Sequence, residues 1–97
     1  MATIEIDYED TIRKAGELER LADDLDRLAD GKVQSVLEGA EVSGQWTGSG
    51  ARMYKKKMIT LQSKARTQAR QLRSVARNMK SRAERYRKLE SLNPFSR

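Results

Sequence analysis

Apolar residues recur every three or four positions along two long stretches, and a glycine-rich break separates them. The break, Gly44–Gly50, holds three of the six glycines and the only tryptophan, Trp46. A period near 3.6 sustained over many turns predicts amphipathic helices rather than strands. A connection this short between two such helices makes them antiparallel neighbours. The chain is therefore expected to be all-α: a two-helix hairpin reversing at Gln45-Trp46-Thr47-Gly48-Ser49-Gly50, treated as one domain over residues 1–97.

In the first arm, Asp7 is a natural N-cap. Its carboxylate can accept from backbone N–H groups one turn on, and Glu9 and Asp10 then sit where the helix dipole favours negative charge. Tyr8, Ala15, Ala22, Ala29 and Val36 form one column at seven-residue spacing. Leu18 with Leu25 and Leu21 with Leu28 form two more, making a stripe wider than a minimal two-helix seam. Gly31 weakens the helix, and beyond it the stripe drifts to Val33, Leu37 and Ala40. The spacing predicts a helix over about 8–42 with a kink near Asp30-Gly31, then a turn over about 43–48. A second helix is expected over about 49–90, stopped by Asn93-Pro94, with a short tail 91–97. Its apolar seam reads Met58, Leu61, Ala65, Gln68, Leu72, Val75, Met79, Arg82, Tyr86 and Leu89, an alternation of three and four, flanked by Ala69, Ala76 and Ala83. That alternation gives coiled-coil-like packing.

Hydrophobic residues make up only 37% of the 97 residues, and 35% are charged. Such a chain cannot bury a thick core of its own. The expected outlet is a thin hairpin that pairs into an elongated four-helix bundle through Leu18, Leu21, Leu25, Leu28, Met58, Leu61, Leu72, Val75 and Met79. There is no Cys and no His, so disulfides, thiol metal sites and imidazole catalysis are not expected, nor is any cofactor. A two-helix hairpin holds no pocket in which catalytic groups converge, so no enzyme is expected and no catalytic residue is assigned.

Charge divides at the turn. Residues 1–45 carry 12 acidic and 5 basic side chains, and residues 46–97 carry 2 and 15, within an overall charge of +6. In an antiparallel hairpin Asp23, Asp26 and Asp30 come level with Lys64, Arg66 and Arg70, which sets orientation and penalises wrong pairings. The basic arm invites comparison with nucleic-acid binders. It has no recognisable DNA-binding motif and no aromatic stacking platform, and an acidic helix lies beside it. Only weak, salt-sensitive binding is expected, with no specific nucleic acid as partner.

The order Trp46-x-Gly48-x-Gly50-Ala51-x-x-Tyr54, at the midpoint of a chain of this length, resembles the WXG family of small helical hairpins exported by type VII secretion systems. Tyr86-Arg87-Lys88-Leu89-Glu90 resembles the Tyr-x-x-x-Asp/Glu export signal of such substrates. The resemblance implies a secreted protein that pairs with itself, a WXG-like paralogue or the helical domain of a toxin, and that meets a secretion ATPase. It implies that Trp46 and Gly48 form the turn motif, and that Tyr86 and Glu90 form the signal. The opening residues Met1–Asp7 are acidic and lack an apolar run, so no cleavable leader is expected, and no segment is apolar enough to span a membrane. The alternative is a cytoplasmic basic helical adaptor or nucleic-acid-binding protein. Whether the partner is identical or different stays open at this level.

Overall fold

The computed structural model describes residues 7–45 and 47–92. The expected turn residue Trp46 lies outside the described residues. Among those described the chain is all helical, with no strand: α1 (Tyr8–Arg27), a π-helical segment (Leu28–Val33), α2 (Gln34–Val42) and α3 (Ser49–Leu92). The molecule measures 71 × 22 × 16 Å. It is a hairpin of two long arms, the first made of α1, the π segment and α2, the second of α3 alone.

Local chemistry fixes the ends of the first arm. The Asp10 amide donates to Asp7 Oδ1 at 3.1 Å, the N-cap bond the sequence calls for. At the other end Gly44 takes φ +71°. The Gln45 amide donates to the Ala40 carbonyl and the Gly44 amide to that of Glu41. Together these form a Schellman motif, which closes the helix through a left-handed residue. Gly48, at φ +88°, then supplies the carbonyl that receives the Arg52 amide in the first turn of α3. Both glycines stand where an L side chain would be strained.

The hairpin's own seam is built from alanine. Ala15, Ala22, Ala29 and Ala40 on the first arm, and Ala65, Ala69, Ala76 and Ala83 on α3, are buried, together with Val33 and Leu37. Among the described residues no large side chain is fully enclosed. Two helices can approach closely only where their facing side chains are small, so the seam centres on Ala69, Ala76 and Ala83. The apolar spacing by itself predicts these three as flanks. Of the expected alternation on α3, Gln68 and Arg82 are exposed.

One polar residue, Gln62, completes this column. Its amide donates to the Ala29 carbonyl at 2.9 Å and to Gln34 Oε1 at 2.7 Å. Ala29 belongs to the π segment, where the ordinary helical hydrogen-bond ladder is interrupted. The π segment also shifts the register of the first arm by one residue. The seven-residue column Tyr8, Ala15, Ala22, Ala29 would continue to Val36, yet Val36 is 53% exposed and Leu37 is buried. The irregularity expected near Asp30-Gly31 is thus a widened helical turn that rephases the arm.

Candidate interaction surface

The two flanks beside the alanine seam follow from helix geometry. Residues four positions after a seam alanine project to one side, and residues three positions after it to the other. On the first side lie Glu19 and Asp26 from α1 and Arg73 and Lys80 from α3. Lys80 Nζ donates to Glu19 at 2.7 Å, and Arg73 bridges Asp23 at 2.9 Å and Asp26 at 2.6 Å. Arg66 donates through Nε to Asp30 at 2.9 Å, and Lys55 pairs with Glu41 nearer the turn. At the far end Tyr8 donates to Glu84, while the Arg87 guanidinium lies 4.5 Å over the Tyr8 ring. This flank is a ladder of inter-arm ion pairs. Asp23 and then Asp26 hold the Arg73 guanidinium above its ordinary range.

Because these pairs put equal offsets from the two arms on one side, the other offset gathers on the opposite side. That flank carries Leu18 and Leu25 from α1 and Leu72, Met79 and Tyr86 from α3, with Leu21, Leu28, Val75 and Leu89 farther out. Leu18, Leu25, Met58, Leu72 and Met79 are half-buried. Leu21 is 48% exposed, Leu28 42%, Leu61 54% and Val75 50%. The nine residues expected to form an interface therefore divide into a half-buried inner row and an exposed outer row, leaving one long apolar flank uncovered.

Of the turn motif, Gly48 has the left-handed geometry given above. Tyr86 and Glu90 are both exposed on the last turns of α3, one helical turn apart. Gly48 and Tyr86 are separated by about 57 Å at 1.5 Å per residue, so one hairpin does not bring the motif and the Tyr86–Glu90 pair together. Near the turn, Leu37, Val42, Ile59 and Gln62 help line an open groove of about 460 Å³.

The pairing of charge differs from the sequence expectation in detail. Arg66 meets Asp30, but Asp23 and Asp26 meet Arg73 rather than Lys64 or Arg70, and Arg70 donates to Thr67. On α1 other acids are held locally. Lys14 and then Arg13 draw the Asp10 carboxyl below its ordinary range, and Arg27 pairs with Asp24. Gln62 and Gly44 were missed as structural determinants. The seven-residue spacing of Gln62 from Ala69, and the place of Gly44 just after the last periodic residue, were the available signals.

Among the described residues no group of acidic side chains is arranged to hold a metal ion, and no helix is long and apolar enough to cross a membrane. No family model matches the chain, and no curated protein or solved structure matches it.

Proposed function

We propose that this protein is a small substrate or targeting partner of a type VII-like secretion system, exported as a folded pair of hairpins. The observation that carries this reading is the uncovered leucine flank of a hairpin whose own seam is only alanine-deep. Burying an alanine methyl contributes about 0.8 kcal/mol, whereas fully covering a Leu or Val contributes about 1.5–3 kcal/mol. The larger apolar side chains thus have most to gain from a second hairpin laid along that flank, as a four-helix bundle. The resemblance of Trp46-x-Gly48 and of Tyr86–Glu90 to export motifs supports the secretion half of the reading.

In an antiparallel pair, the turn of one hairpin would stand beside the Tyr86–Glu90 end of the other. Motif and signal would then meet only between two subunits, and a receptor reading both would select assembled pairs. The test is an export assay in a bacterium carrying a type VII system. Glu90→Gln and Tyr86→Ala are expected to assemble as the parent does and to stay in the cell. Undiminished export of both variants, with assembly intact, would refute the signal. A folded monomer at micromolar concentration would refute the bundle.

A further inference from the structure

The ion-pair ladder engages few of the cations on α3. Lys55, Arg66, Arg73 and Lys80 meet acids across the hairpin. The acids of the first arm are largely consumed in doing so, or by neighbours on their own helix: Asp10 by Arg13 and Lys14, Asp24 by Arg27. The face of α3 turned away from the seam is different. Arg70, Arg77, Arg85 and Lys88 lie on it with no ion pair to an acid among the described residues. The acidic arm thus meets the cations of α3 along one flank only.

We infer that this outer face of α3 is a binding surface for the phosphate backbone of duplex DNA, read without regard to sequence. Along the line from Arg70 through Ser74, Arg77, Ser81 and Arg85 to Lys88 there is no apolar residue. Hydroxyl and amide side chains fill the positions between the cations, as in the groove of about 440 Å³ lined by Ser74, Arg77, Asn78, Ser81, Arg82 and Arg85. Arg and Lys with Ser, Thr, Asn and Gln are the side chains that contact phosphate and sugar. Arg70, Ser74, Arg77, Ser81, Arg85 and Lys88 fall on one helical line spanning about 27 Å. Glu84 is the one acid on this face, and it accepts from Tyr8.

Three other occupants fit less well. A lipid surface would need a row of apolar side chains to insert among the cations, and the line from Arg70 to Lys88 carries none, Leu89 alone standing exposed beside its end. A single strand would need aromatic stacking, which is also missing. A second copy of the chain offers an acidic arm whose carboxylates are mostly paired already. The surface stays open in the proposed bundle, because the seam and the leucine flank lie on other sides of α3. The inference does not depend on export.

The experiment measures binding of the full-length protein to a 30-base-pair random-sequence DNA duplex by fluorescence anisotropy across a salt series. Each phosphate contact contributes about 0.9 to the slope of log K against log salt. Arg70→Gln/Arg77→Gln/Arg85→Gln should flatten that slope by about 2 to 3 at unchanged helicity. Arg66→Gln/Arg73→Gln, which strips the ladder instead, should leave it unchanged. Equal flattening in both variants would overturn the assignment to the outer face. Tighter binding to the single strand, or to vesicles containing anionic lipid at the same salt, would overturn duplex DNA as the occupant.

Discussion

The two flanks of this hairpin come from the same two helices and differ by a single residue offset, yet they have opposite needs. The flank four residues after each seam alanine is complete within one chain: Glu19, Asp23, Asp26 and Asp30 meet Lys80, Arg73 and Arg66. The flank three residues after it is apolar, and its outer row remains about half exposed. Exposed ion pairs add little stability, since water solvates separated charges almost as well. Their effect is to fix which way the arms run and which side each presents. The apolar flank carries the larger free-energy reserve, and a second body is needed to realise it. A chain poor in hydrophobic residues thus uses charge for orientation and gathers its leucines on one flank, where the proposed association would bury them.

The sharpest way to break this contrast is Leu21→Glu/Val75→Glu. Both positions are about half exposed in the hairpin, so the single hairpin should keep its helicity. In the proposed bundle each carboxylate would be buried without a partner, and pairing should weaken roughly a hundredfold or more. Analytical ultracentrifugation reads the loss directly.

The seam between the flanks has its own weak point at Gln62. Gln62→Leu leaves the buried Ala29 carbonyl without its donor, at a cost of about 1–3 kcal/mol. Thermal unfolding measures that cost. Hydrogen exchange should also show faster opening across Leu28–Val33 than elsewhere in the arm.

Gly48→Ala probes the turn on which both flanks depend. No atom lies within 4 Å of the position a Cβ would take, so the expected loss of about 1–2 kcal/mol arises from the left-handed backbone alone. Replacement by a D-alanine in a chemically assembled chain should restore stability. A loss that persists with D-alanine would point to crowding instead.

The smallest effects belong to the charged flank. Asp23→Asn/Asp26→Asn should lower the melting temperature less than either preceding variant, and the difference should shrink at 1 M salt, where screening is strong. At the N-terminus of α1, Lys14 and Arg13 hold the Asp10 carboxyl below its ordinary value of 3.8. Its contribution is therefore fully present above that value and disappears as pH falls through the lower, folded one. Carboxyl titration followed by NMR, together with the helicity of the first turn, checks the sign.

The sequence by itself determined the helical hairpin, the division of charge between its arms and the N-cap at Asp7. These depend on local chemistry and on chain reversal at a break too short for any other path. The spacing could not decide which part of a broad apolar stripe faces the chain's own second arm. On α3, Leu61, Leu72 and Val75 look like a seam when the helix is considered alone, and Ala69, Ala76 and Ala83 look like its edge. Only the partner helix reverses the roles, because close approach rewards the smallest side chains. Tertiary packing likewise chose Leu37 over Val36, since the π segment adds a residue whose rephasing no heptad count contains. It also separated the cations that meet acids from those that do not. Charges on two helices are paired by their angle around each axis, and that angle becomes defined only when the two seams have locked together.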